Sequence, residues 1–265
     1  MKATVNGIET NYEVHGKEGA PWLTFSHSLA CSVRMWDGQI AEFKDRYRIL
    51  VYDTRGHGAS GAPGGAYALG QLTEDLLALW KRIGVSKTHF CGLSMGGMIG
   101  QLLALEHPEM LDRVVLADTG HAQTPETLKQ WQDRIQTAES KGMQPLVQPT
   151  LERWFTEPFR KAKPDIVGQI GNLIAKTPVA GYVGCCHAIS KLSTTARLKG
   201  IKLPVLAIAG EQDVAAAGTR YIGENVPGAK LVMIPQAAHI ANVEQPAAFN
   251  RALREFLSAP ASARA

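Results

Sequence analysis

Short runs of consecutive apolar residues alternate along this chain with stretches whose apolar positions recur every three or four residues. Trp22-Leu23-Thr24-Phe25-Ser26 and Arg48-Ile49-Leu50-Val51-Tyr52-Asp53 are runs of the first kind, the pattern of strands buried on both faces. Leu72, Leu76, Leu79 and Ile83 share one face of a helix that Gly84 ends. A third apolar run begins at Thr88, and Ser94 lies between it and a helix predicted from about Gly97 to His107, with Pro108 as its stop. Arg113-Val114-Val115-Leu116-Ala117-Asp118 predicts a further strand. At the front, Val5-Asn6-Gly7-Ile8 predicts a hairpin, because Asn-Gly takes the positive φ angles of a tight turn.

After Gly120 the texture changes. Residues 121–199 carry helical spacing, scattered Pro and Gly, and no strand pattern. Alternation then resumes with Val205–Ala209, a helix near Arg220, Leu231–Ile234 and a last helix from Pro246 to Leu257. The expected architecture is an α/β fold with a mostly parallel central sheet flanked by helices. Its core is expected in two parts, 1–120 and 200–265, around a helical lid inserted at 121–199. A frayed tail is expected from about Ala259. A single core of this kind suits 265 residues.

Composition removes several classes of function. The formal charge of +4 is mild and comes without a Lys/Arg block, so nothing favours a nucleic-acid partner. No stretch approaches the roughly 18 apolar residues of a membrane span, and the first residues lack the apolar centre of a signal peptide. Cys31, Cys91, Cys185 and Cys186 have no metal-ligand spacing; they read as reduced thiols, which points to the cytoplasm and to no metal.

The chemistry concentrates at Gly92-Leu93-Ser94-Met95-Gly96-Gly97. A serine between glycines, on a sharp turn from strand to helix, is a nucleophile elbow. Its glycines leave room where side chains would clash, and the helix start offers free N–H groups to developing negative charge. Serine needs a base, and the base needs an orienting group. Asp213, in Gly210-Glu211-Gln212-Asp213, and His239, in Ala237-Ala238-His239, each follow a predicted strand, in the order acid then histidine. Both therefore emerge at the edge where Ser94 emerges. Asp118 also ends a strand and is the alternative acid; Asp213 is preferred because its loop lies nearer the histidine segment. Glu211 is expected to shape that loop. His15, His89, His107, His121 and His187 are expected to be surface or structural groups. His57 is expected to hold the turn Asp53-Thr54-Arg55-Gly56-His57-Gly58, and His27 to support its own loop. The N–H groups of Met95 and Leu29 are the expected oxyanion donors, Leu29 lying in the loop Ser26-His27-Ser28-Leu29-Ala30 after a strand.

With these residues in place the chain resembles the α/β-hydrolases, and more closely the 3-oxoadipate enol-lactonases of the β-ketoadipate pathway. Met35-Trp36-Asp37, Asp53–Gly58, Gly92–Met98, Val115–Thr119, Ile208–Asp213 and Ala238–Pro246 carry the likeness in the core. Arg153-Trp154-Phe155-Thr156 and Thr177–Cys186 look like that family's lid, and the second run is the more specific. Two loops depart from it. Such enzymes usually read Ser-Asn-Ser-Leu-Gly where this chain has Ser26-His27-Ser28-Leu29-Ala30, and Val214-Ala215-Ala216-Ala217 lacks the usual Thr-Pro.

The resemblance implies a serine hydrolase that opens a small carboxylate-bearing enol-lactone through an acyl-enzyme on Ser94, with no cofactor. A carboxylate on the substrate calls for a cation beside an apolar wall. Trp131 and Arg134, one helical turn apart, are the candidates, with Arg153 and Trp154 as a second pair. Two other readings stand beside this one: a broader carboxylesterase or perhydrolase, and a hydrolase-fold receptor with little turnover. A dehalogenase is disfavoured, since it would carry a carboxylate where Ser94 stands.

Overall fold

The computed structural model describes residues 1–259; most of the tail expected to fray lies outside the described residues. Among the described residues one sheet of eight strands crosses the molecule in the order β1-β2-β4-β3-β5-β6-β7-β8. The strands are β1 (Lys2–Val5), β2 (Ile8–His15), β3 (Trp22–Ser26), β4 (Arg48–Tyr52), β5 (Thr88–Leu93), β6 (Leu111–Ala117), β7 (Val205–Gly210) and β8 (Lys230–Ile234). Asn6 and Gly7 take φ of 45° and 77° in the turn that joins β1 to β2. Pairing is antiparallel for β1–β2 and β2–β4 and parallel for the rest.

Helices follow most strands: α1 (Asp37–Phe43), α2 (Leu69–Ile83), α3 (Met95–Glu106), α9 (Ala216–Asn225), α10 (Ala241–Glu244) and α11 (Pro246–Ser258). On α2, Leu72, Leu76 and Leu79 are fully buried, each contributing about 2 kcal/mol of apolar transfer. Gly84 closes the helix in the left-handed conformation at φ 79°. Between β6 and β7 come α4 (Pro125–Lys141), α5 (Gln144–Trp154), α6 (Glu157–Ala162), α7 (Pro164–Lys176) and α8 (Val179–Ser190). They stand over the ends of the parallel strands. An isolated antiparallel bridge, Ala122 with Ser193, ties the start of this helical segment to its end.

The pattern misses some boundaries for physical reasons. The segment Val33–Phe43, a short 3-10 turn followed by α1, spans too few turns for helical periodicity to show, although Trp36 and Phe43 are almost wholly buried. Trp36 stacks on Phe25 at 4.7 Å. Helix α3 starts at Met95 rather than at Gly97, because the chain turns directly from Ser94 into the helix. Strand β6 stops at Ala117, since Asp118 turns to φ 45°.

Register aligns the chemistry. Ser26 pairs with Gly92, Leu93 with Ala117, Ala117 with Ile208 and Gly210 with Ile234. The loops that follow β3, β5, β6, β7 and β8 therefore leave the sheet side by side.

Candidate active site

Ser94 occupies φ 56° and ψ −113°, a conformation that costs an L-residue roughly 1–3 kcal/mol and is held by its surroundings. Its N–H donates to Ala117 O at 2.8 Å, and its carbonyl accepts from Thr119 Oγ1 at 2.8 Å. The flanking glycines are dictated by backbone proximity. A Cβ on Gly92 would lie 2.1 Å from Gly96 O, and one on Gly96 would lie 2.1 Å from Ser26 O. Strand, turn and helix are pressed together there, so the serine stands clear of them.

The structure brings Ser94, His239 and Asp213 into one hydrogen-bonded line. Ser94 Oγ donates to His239 Nε2 at 3.0 Å, and His239 Nδ1 donates to Asp213 Oδ1 at 2.8 Å, in the tautomer that suits a neutral imidazole. Asp213 Oδ1 also accepts from Ala215 N–H at 3.0 Å. Such a line can move the serine proton onto the imidazole while the carboxylate holds the ring.

Sequence reasoning gave Glu244 no role. Buried and 3% exposed, it accepts from Ala238 N–H at 2.7 Å and from Thr156 N–H at 2.9 Å. It thus pins the His239 loop to the helical segment above. Trp154 covers the other side of the histidine, the two rings 5.9 Å apart. A buried Glu five residues past the histidine was visible in the sequence, but nothing local marks it as internal.

The loop after β3 is built on two buried imidazoles. His27 Nε2 accepts from Thr54 N–H and His57 Nε2 accepts from Ala30 N–H, both at 2.9 Å. His27 Nδ1 donates to Ser28 O at 2.7 Å, and His57 Nδ1 faces Arg55 O at 3.2 Å. Burial pushes both imidazoles down, His57 to about 3, with the charge of its neighbour adding to the effect at His57. Ser28, Ala30 and Cys31 N–H groups are bonded to Met35 Sδ, His57 Nε2 and Ser28 O. Among the described residues no such bond from Leu29 N–H is seen, and Met95 N–H is at the start of α3, where no carbonyl of the helix precedes it.

Above Ser94 and His239 opens a cavity of about 540 Å³. Trp131 and Arg134 line it together, the guanidinium carbon 4.5 Å from the centre of the Trp131 ring, while Trp131 Nε1 donates to Gln123 Oε1 at 3.1 Å. Arg153 lines it too, bonded to Thr150 Oγ1 at 3.1 Å; burial pushes it down to about 10, aided by the charge of Arg134. The cavity therefore presents two cations and an aromatic wall to its contents. His121 also lines the cavity, stacked on Tyr221 with centroids 4.1 Å apart and with its Nδ1 2.7 Å from Thr195 Oγ1.

A mostly parallel sheet that carries Ser, Asp and His past the ends of β5, β7 and β8 defines a class, and comparison bears on it directly. The family model described as alpha/beta hydrolase fold matches residues 21–246, and the chain belongs to that family. Within it the chain is similar to 3-oxoadipate enol-lactonase 2 of Acinetobacter baylyi, at 39% identity over 96% of this chain and 95% of that one. It is also similar to the crystal structure of the enol-lactonase from Burkholderia xenovorans, at 37% identity and a TM-score of 0.94, covering 98% of this chain and all of that one. A thermophilic esterase from Thermogutta terrifontis superposes with a TM-score of 0.89 at 26% identity, over 97% of this chain and 96% of that one.

Proposed function

We propose that this protein hydrolyses a small carboxylate-bearing enol-lactone, 3-oxoadipate enol-lactone or a close analogue, through an acyl-enzyme on Ser94. The observation that carries the reading is the Ser94–His239–Asp213 line, opening into a cavity with Arg134 stacked on Trp131. Ser94 Oγ attacks the lactone carbonyl as His239 Nε2 takes its proton, and Asp213 stabilises the imidazolium. Leu29 and Met95 N–H groups receive the oxyanion. Collapse of the tetrahedral intermediate breaks the ring C–O bond and expels an enolate. That leaving group takes the proton held by His239 and becomes a ketone, which makes it a good one and leaves the histidine free to act as a base again. Water, deprotonated by the same histidine, then releases the keto-diacid and restores Ser94. Arg134 beside Trp131 holds the carboxylate that the ring carries. The buried cysteines fit a reducing cytoplasmic setting.

A second reading, a broader carboxylesterase, is favoured by the cavity itself, whose volume of about 540 Å³ lies in the range of sites for much larger ligands. Turnover separates the two. Loss of the enol-lactone's ultraviolet absorbance, at a kcat/KM far above that for simple aryl esters, is the expected result. Brisk aryl-ester cleavage with negligible lactone turnover would favour the esterase. Tight binding of the keto-diacid with no turnover of either would favour a receptor.

A further inference from the structure

Asp118 stands beside the line of catalytic groups without belonging to it. Fully buried at the end of β6, it adopts φ 45°, with its N–H on Ile208 O and its Oδ1 accepting from Gly210 N–H, both at 2.8 Å. Its remaining oxygen, Oδ2, has no hydrogen-bond donor among the described residues, and neither has Asp213 Oδ2. Both atoms are buried, and Gly210 ties the two groups together, its N–H on Asp118 Oδ1 and its carbonyl accepting from Asp213 N–H at 3.1 Å, so that each carboxyl group lies within reach of the other. Two acceptor-only carboxylates so placed would each keep one buried oxygen without a donor and would repel each other. One proton between them removes both faults.

We propose that Asp118 is a positioning residue that donates a carboxylic O–H hydrogen bond to Asp213 Oδ2 and so fixes the carboxylate that orients His239. The assignment rests on the reading of Ser94, His239 and Asp213 as a hydrolytic triad. The proton belongs to Asp118 because Asp213 Oδ1 already accepts from His239 Nδ1 and Ala215 N–H, which reward its charge. Burial, followed by the charge of Asp213, drives Asp118 well above the carboxylate range, against the Gly210 N–H on its Oδ1. The other titratable groups near the pair are His239, on the far side of Asp213, and the buried Cys91 thiol on β5, itself pushed up by burial. With both lobes of Asp213 engaged, its plane is set for the imidazole.

An asparagine at position 118 offers an N–H donor to Asp213 and an acceptor to Gly210, whereas an alanine offers neither. The test compares D118A, D118N and the parent enzyme on the enol-lactone and an aryl ester, together with infrared spectra at neutral pH. In D118A kcat is expected to fall about 10- to 100-fold with KM little changed, the cost of a lost hydrogen bond to a charged group. D118N is expected to recover most of that loss and to lack one protonated-carboxyl C=O band that the parent shows. The infrared comparison stands even if D118A does not fold. A D118N spectrum that keeps every protonated-carboxyl band of the parent overturns the proposal, as does an undiminished kcat in folded D118A. Failure of the triad reading itself shows elsewhere, as hydrolysis that survives S94A.

Discussion

Mild acid should loosen this protein through His57, whose ring is buried as a neutral acceptor. The ring is fully buried, its Nε2 accepts from Ala30 N–H, and its folded pKa is pushed from 6.5 to about 3, chiefly by burial. A proton on Nε2 would set two donors against each other beside Leu29. The sign follows from proton counting. Below about pH 6.5 the unfolded chain takes up a proton that the folded chain refuses, so the stabilisation is complete above that pH and lost progressively down to about pH 3. At pH 5 the loss from this one group is 1.5 units at 1.36 kcal/mol each, about 2 kcal/mol. The perturbation is H57Q, whose amide oxygen can replace Nε2 as the acceptor without titrating. Urea unfolding of parent and variant at pH 7.5 and pH 5.0 gives the two losses, and the variant's should be smaller by about 2 kcal/mol. Equal losses in the two proteins would refute the claim that His57 is held neutral as the acceptor of the Leu29–Ala30 turn.

Other consequences can be measured as directly. G96A should lower kcat/KM at least about 100-fold in a folded protein, because a Cβ there would meet Ser26 O at 2.1 Å and displace the serine; circular dichroism confirms the fold, and near-parental turnover would contradict it. R134M should raise KM for the carboxylate-bearing lactone about 10-fold or more while leaving a neutral aryl ester almost unaffected. Equal effects on both substrates would remove Arg134 from carboxylate recognition. R55M should cost about 3–5 kcal/mol in urea unfolding, since it strands the buried Asp75 carboxylate that Arg55 Nε meets at 2.7 Å. A loss below about 1 kcal/mol would mean that water reaches Asp75.

What the sequence disclosed follows from how local each signal is. Strands β3 to β7 appear as apolar runs because both faces of a parallel sheet are covered, and the Gly-flanked Ser94 is legible because the turn needs its glycines within five residues, although one of them is required by Ser26 on β3. Asp213 and His239 could be read only because strand ends share one edge, a rule that converts position along the chain into position in space. The same rule put Asp118 on that edge as an alternative acid, but what Glu244 and Asp118 bond to could not be read. Their meaning lies in partners 88 and 92 residues distant, Thr156 and Gly210, and a carboxylate carries no local mark of burial. The departure at His27 marked the loop after β3 as unusual, but not its bond to Thr54 or its pairing with His57, rings 5.2 Å apart. Segment Val33–Phe43 stayed hidden because helices of one or two turns leave no periodicity.

The most direct test of the central claim is rapid acid quench of the enzyme during turnover of the enol-lactone, followed by peptide mass spectrometry. A lactone keeps its leaving group attached, so the peptide containing Ser94 should gain the full mass of the substrate, and S94A should show neither the adduct nor turnover. An adduct on another residue, or hydrolysis that persists in S94A, would contradict the account.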